Sequence, residues 1–290
     1  MKLSRKLIPA FAMLLVSAIM LTTASYAWFS INNKVTAQGM SVKTTAADSV
    51  LIAESTIDAT AKADDTAFTT DLTQDVEGLL NPASTVNGTA FFYTDGKNVA
   101  GDGDAKANTY LAYDAADTED FNDAYGTTGA VAYVEYVFQI KVTNASTESA
   151  KSLNITALDL KYGAASDNGQ KAFRVAVFAE ELATTEGAKF AAGVGTLKTI
   201  LAPTDAVNYE SGKAVASDSA TGTVTYGTAA TLASVPVNST RYYKVVVRLW
   251  LEGEDQTCTN DTFADLTTGN FTMNVTVQLT GAGTTVITTP

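Results

Sequence analysis

Val131-Ala-Tyr-Val-Glu-Tyr-Val-Phe-Gln-Ile-Lys-Val-Thr143 is the stretch that decides the fold. Side chains of an extended strand alternate between two faces. Val134, Tyr136, Phe138, Ile140 and Val142 therefore share one face, and Tyr133, Glu135, Gln139 and Lys141 the other. The first face predicts a core and the second predicts solvent.

The same alternation recurs on both sides of this stretch. Downstream it returns in Ser152–Lys161, in Phe173–Ala179 (Phe173, Val175 and Val177 opposite Arg174) and in Arg241–Glu252. In the last of these, Val245, Val247, Leu249 and Leu251 point one way, and Lys244, Arg248 and Glu252 the other. Trp250 joins the polar face, so it is expected to lie over a loop or a partner. Phe271–Leu279 closes the pattern, with Phe271, Met273, Val275, Val277 and Leu279 inward. Phe138, Val247, Leu249 and Val275 are the expected centre of the core. Upstream, Val35–Lys43, Ser49–Glu54 and Thr89–Thr94 read as strands.

Between these runs the chain is loop-like. Residues 55–87 are rich in Ala, Thr and Asp and predict a loop with one helical turn around Leu72–Leu80. Asp95–Thr128 holds turn sequences such as Asp95-Gly-Lys-Asn98 and Gly101-Asp-Gly-Asp104. So long a loop is uncommon in a compact domain, so 95–128 is read as an insertion that carries function or hides short strands. Residues 180–239 are short Thr/Ala/Val segments broken by glycines. Asn260–Leu266 predicts a short helix, capped by Asn260 and stopped by Gly269. Many alternating strands with long loops give an all-β fold, a β-sandwich of jelly-roll type over residues 28–290.

Residues 1–27 read differently. Lys2, Arg5 and Lys6 precede an uncharged apolar run, Leu7–Leu21, and small residues follow at Thr22, Thr23, Ala24, Ser25 and Ala27. That is the pattern of a helical secretory signal peptide. Ser25 and Ala27 suit the −3 and −1 pockets of a signal peptidase, giving a start at Trp28. Thr22 and Ala24 offer an earlier start at Ser25. An uncleaved anchor is the other alternative, since no charge occurs between Lys6 and Lys34.

Ser25-Tyr-Ala-Trp-Phe-Ser30, Asn32-Asn-Lys-Val35 and Ala37-Gln-Gly-Met-Ser-Val42 together resemble the start of exported Gram-positive proteins with SipW-type signal peptides. That group includes the TasA and camelysin matrix-fibre proteins. Val245-Val-Val-Arg-Leu-Trp-Leu-Glu-Gly-Glu-Asp255, followed by Cys258-Thr-Asn-Asp261, is similar to a segment near the end of surface proteins with the same start. The resemblance implies export, processing by a SipW-type peptidase and self-association into filaments at the cell surface. Membrane contact is then confined to the signal segment.

Charge and composition narrow the chemistry. From Trp28 onward the chain has 16 basic and 31 acidic side chains, a net charge of −15. Such a surface repels nucleic acid and anionic lipid and keeps an exported protein hydrated. One cysteine, Cys258, excludes an intramolecular disulfide. The chain has no histidine, which removes Ser-His-Asp and Cys-His catalysis and the HExxH zinc site together. Camelysin-type relatives have been regarded as metallopeptidases, and this chain lacks their usual zinc ligand. No carboxylate pair is singled out for glycoside hydrolysis, so no enzyme is expected.

Calcium is the cofactor the acids allow, with Asp102 and Asp104 in one loop and Glu254 and Asp255 in another as candidate ligands. Neither spacing matches an EF-hand. Two functions fit: a structural subunit of surface or biofilm-matrix fibres, or a secreted adhesin or carbohydrate-binding sandwich using exposed aromatics such as Tyr133 and Trp250. In the first, Trp28, Phe29, Val35, Met40 and Val42 form an assembly strand that a neighbour accepts by donor-strand exchange; the alternative is that Val35–Val42 is the first strand of its own domain, with Trp28 and Phe29 packed locally.

N-terminal sequencing of the secreted chain should read Trp28 first. A retained Met1, or a start at Ser25, would overturn cleavage after Ala27.

Overall fold

A computed structural model describes residues 36–45, 49–74, 78–94, 110–162, 172–202, 215–218, 223–226, 230–253, 258 and 270–281, with backbone alone at 36–45, 157, 159–162, 215–218, 223–226 and 270–272. In chain order the strands are β1 (Thr36–Thr45), β2 (Val50–Glu54), β3 (Asp71–Gln74), β4 (Leu79–Leu80), β5 (Phe92–Thr94), β6 (Tyr110–Ala112), β7 (Ala130–Val131) and β8 (Tyr133–Asn144). There follow β9 (Lys151–Tyr162), β10 (Phe173–Glu181), β11 (Thr196–Leu201), β12 (Val215–Asp218), β13 (Thr223–Tyr226), β14 (Ala230–Val235), β15 (Ser239–Leu251) and β16 (Asn270–Gly281). One short helix, α1 (Glu119–Tyr125), lies between β6 and β7.

A strand with one apolar face must bury it against another, and the strands do so as two facing sheets. Five strands pair in the order β11-β10-β15-β8-β2. Nine pair in the other sheet, β12-β13-β9-β16-β1-β4-β7, with β14 also on β9 and β3 also on β1. Consecutive strands β8 and β9 lie in different sheets, as do β15 and β16. β8 pairs with β15, and β9 with β16, so the four strands lock the sheets together. The fold is the all-β sandwich that the alternation predicts.

The expected core faces are inward. Val134, Tyr136, Phe138, Ile140 and Val142 of β8 meet Val245, Val247, Leu249 and Leu251 of β15 on the same face. They pack against Leu153, Ile155 and Leu158 of β9 and Met273, Val275, Val277 and Leu279 of β16. Phe138, Val247 and Leu249 have no exposed surface, and Val275 has 1%.

The opposite face of the five-stranded sheet is where the sequence reading fails. It predicts solvent, but Gln139, Lys244, Arg248, Trp250 and Glu252 are all buried. A third layer covers them, built from segments 55–68, 81–94, 110–132 and 187–195. Its centre is a second cluster that joins Val137, Ala176, Phe178, Val246 and Trp250 to Phe91, Tyr93 and Phe121. Trp250 thus lies over a loop as expected, and it is fully covered rather than exposed. Its ring meets Phe91 edge-on at 5.6 Å.

Three local expectations also change. Leu72–Leu80 is not a helical turn in its described part: Leu72–Gln74 belongs to β3 and Leu79–Leu80 is β4, with 75–77 outside the described residues. Thr89–Thr94 is a strand only over Phe92–Thr94. The described part of 95–128 holds a short strand, β6, and the helix α1. Glu119 and Asp120 sit favourably at the first turn of α1, and Gly126 ends it at φ 61° with its N–H on the last carbonyls. Phe121 and Tyr125, one turn apart, turn its apolar side onto Tyr93. The helix expected at Asn260–Leu266 lies outside the described residues. Among the described residues no helix is long and apolar enough to cross a membrane.

Leu249→Ala should lower stability by about 2–5 kcal/mol, read as a shift in denaturant midpoint, because its site is fully packed. Tyr136→Phe should do the reverse. Among the described residues the Tyr136 hydroxyl, buried between the sheets, has no hydrogen-bond partner, so removing it relieves a desolvation cost of roughly 1 kcal/mol. A midpoint that falls would show that the hydroxyl is satisfied.

Candidate functional site

The first strand occupies an unusual place. β1 opens the described chain, yet it lies inside the nine-stranded sheet with a neighbour on each side. On one side it runs parallel to β16, with Met40 beside Met273, Val42 beside Val275 and Thr44 beside Val277. On the other it runs antiparallel to β3, with Met40 opposite Gln74 and Val42 opposite Leu72, and Thr36 faces Leu79 of β4. A register shift between Ala37 and Met40 marks a bulge on the β16 side.

Each wall of this lane is fixed by something other than β1. β16 is paired with β9 from Phe271 opposite Tyr162 to Gly281 opposite Lys151. β3 is held by buried Gln74, whose Nε2 donates to the Val137 carbonyl at 2.8 Å. Just ahead of β3, Thr69 and Ile52 exchange backbone hydrogen bonds of 2.8 and 2.7 Å, which ties the lane to the other sheet. β4 pairs with β7. The lane thus offers an extended segment backbone donors and acceptors on both sides, the chemistry by which a sheet recognises an added strand.

The third layer is held by charged and amide side chains that reach up from the five-stranded sheet. Arg248 donates from Nε to Glu135 at 2.9 Å and from Nη1 to the Gly88 carbonyl at 2.9 Å, with its guanidinium 4.2 Å from the Tyr133 ring centre. Gly88 is required here. Its φ is +68°, and a Cβ would meet the Ala176 methyl at 2.6 Å. Fully buried Lys244 donates to the Ala191 carbonyl at 2.6 Å, and Glu180 accepts from the Ala191 N–H at 2.6 Å. Gln139 accepts from the Ala63 N–H and donates to the Ala61 carbonyl. Asp65 accepts from Lys141, Lys62 and Tyr242 at 2.9, 3.1 and 3.0 Å.

These groups are engaged in holding loops, and none stands as an acid and base pair over a cleft. Burial pushes the phenols of Tyr113, Tyr133 and Tyr136 upward and keeps them neutral. Among the described residues no three Asp, Glu or Cys side chains gather as metal ligands. The calcium candidates Asp102, Asp104, Glu254 and Asp255 lie outside the described residues, as do Ala27, Trp28, Phe29 and Val35. Met40 and Val42 are placed by backbone register alone. Tyr133 is half-buried beneath Arg248 and stacked on Phe91 at 4.7 Å. Neither Tyr133 nor Trp250 forms the open aromatic platform a glycan site would need.

No known protein family matches the chain, and no curated protein or solved structure is significantly similar to it.

Asp65 supplies a pH test. Its hydrogen bonds to Lys141, then Lys62 and Tyr242, lower its pKa from 3.8 to about 2. A carboxylate with a depressed pKa in the folded chain stabilises it above 3.8, and that contribution is lost as the pH falls through about 2. Asp65→Asn should flatten the fall in denaturant midpoint over that window. An unchanged acid limb would show that the three bonds contribute nothing in solution.

Proposed function

We propose that the chain is an exported structural subunit of cell-surface or matrix fibres, joined by passing β1 into the lane of a neighbour. One observation carries this reading: the first strand fills an interior lane whose walls are each fixed without it. A strand at a sheet edge can be lost with little consequence, whereas an empty interior lane leaves two rows of backbone groups unpaired and calls for a replacement. Exchange then runs head to tail and gives an open filament rather than a closed ring.

The charge and the N-terminal residues agree with this reading. A net charge of −15 from Trp28 suits a hydrated secreted protein, and a SipW-type peptidase acting after Ala27 would release the strand's leading end. Before cleavage the apolar run Leu7–Leu21 restrains that end at the membrane. The adhesin alternative draws on Tyr133, Trp250 and the aromatic-bearing 95–128 segment; of these Trp250 is fully buried and Tyr133 half-buried, so that reading rests on the 95–128 segment.

A synthetic peptide of residues 35–45, added in excess to the intact chain, should occupy the lane and shorten the filaments seen by electron microscopy. A scrambled peptide should not. Filaments of unchanged length, or a chain that forms none without the peptide, would overturn the reading.

A further inference from the structure

Asn87-Gly88 is one of two Asn-Gly pairs in the chain, and the other, Asn168-Gly169, lies outside the described residues. Such a pair carries its own reaction. The backbone nitrogen of the glycine, once deprotonated, attacks Cγ of the asparagine. The new N–C bond closes a five-membered imide, and the side-chain nitrogen leaves as ammonia. Water then opens the ring to aspartate or isoaspartate. Glycine favours the attack because no side chain shields its nitrogen. Two freedoms are needed: an N–H able to lose its proton, and a carboxamide able to turn over that nitrogen.

Both are taken away in the folded chain. The Gly88 N–H donates to Thr85 Oγ1 at 3.0 Å, and Thr85 is buried, so water does not compete for that bond. The Asn87 carboxamide oxygen accepts from the N–H groups of Thr89 and Ala90, each at 2.9 Å, and from the Thr85 hydroxyl at 3.2 Å. The peptide is pinned from beneath as well. The Gly88 carbonyl accepts from Arg248 Nη1, and a Cβ on Gly88 would meet Ala176 at 2.6 Å and Phe178 at 3.0 Å. Asn87 itself is exposed, so the pair is held back by geometry rather than by lack of water. Arg248, Ala176 and Phe178 belong to the five-stranded sheet, so the turn is locked only while the third layer sits on it.

We propose that Asn87 is a site of self-modification, closed while the third layer is seated and converted through the imide when that layer lifts. The two products differ in consequence. Aspartate leaves the main chain unchanged, and its carboxylate keeps the bonds to Thr89 and Ala90. Isoaspartate routes the main chain through Cβ and Cγ, which adds an atom ahead of Gly88 and moves its carbonyl away from Arg248. A lift that ends in isoaspartate is not reversed, and the chain carries a permanent mark of it. The proposal stands apart from the fibre reading.

Ageing the secreted chain at mildly alkaline pH, with peptide mass spectrometry to measure deamidation at each site, tests this. Asn168 calibrates the rate in guanidinium-denatured chain. In the folded parent Asn87 should react at least about tenfold more slowly than in denatured chain, the factor that one hydrogen bond to a charged group supplies to a local opening. Arg248→Met keeps the apolar stem and loses the donors, and Thr85→Val removes the acceptor of the Gly88 N–H. Each should restore about that factor while far-UV circular dichroism still shows the strands. Guanidinium below the unfolding midpoint should do the same to the parent, so the test does not depend on either variant folding. A folded parent that reacts at the denatured rate overturns the proposal, as does a folded variant that reacts at the parent's rate. So does a parent rate that rises in guanidinium only as the strand signal is lost, since the layer then does not lift by itself.

Discussion

The five-stranded sheet is buried on both faces, and its outward charges must be satisfied without water. A buried cation with no partner would cost several kcal/mol, and three of the outward polar side chains are matched to loop groups, while buried Arg174 donates to the Phe173 carbonyl of its own strand. Lys244 reaches Ala191, Arg248 reaches Gly88 and Glu135, and Gln139 brackets Ala61 and Ala63. The third layer is therefore not decoration on a two-sheet sandwich. Without it these groups would return to water and the aromatic cluster around Trp250 would be uncovered. The loops add Phe91, Tyr93 and Phe121 to that cluster and take their fixed points from the polar side chains of the sheet.

Asn144 does the same work at one end of the sandwich. Its side-chain amide donates to the carbonyls of Ser149, Val235 and Pro236, and its oxygen accepts from the Ser146 N–H. The turn after β8 and the turn before β15 are thereby joined where those two strands meet. The shared device is a polar side chain that binds backbone rather than another side chain. It fixes loops of almost any sequence, which suits a chain whose connecting segments are mostly Ala, Thr, Asp and Gly.

The inter-sheet core was legible because period-two alternation is a property of each strand alone. Phe138, Leu249 and Val275 announce their side without reference to anything distant. The outer face was not legible, because a polar residue on a strand looks the same whether water or a loop carbonyl satisfies it. Lys244 and Arg248 read as solvated and are buried. The covering segments gave little warning, since their aromatic residues are spaced without strand or helix period and they owe their placement to Gln74, Asn81 and Asn122 as much as to Phe91 and Phe121. Trp250 was a visible sign, and so were Val137, Phe178 and Val246, apolar side chains that alternation puts on the same face as Lys244 and Arg248. The lane around β1 was half legible: the strand could be read, but not its neighbours, because pairing with β16 joins opposite ends of the chain.

That pairing bears on the order in which the molecule is made. Thr36 lies beside Asn270, so the strand synthesised first waits for the strand synthesised last before the nine-stranded sheet can close. Closing so large a loop of chain carries an entropy cost that local hairpins avoid, and contacts of this span slow folding. For as long as the ribosome has not finished β16, β1 has no parallel partner within its own molecule. The interval is set by the length of the chain rather than by any side chain, and shortening the segments between β1 and β16 would shorten it.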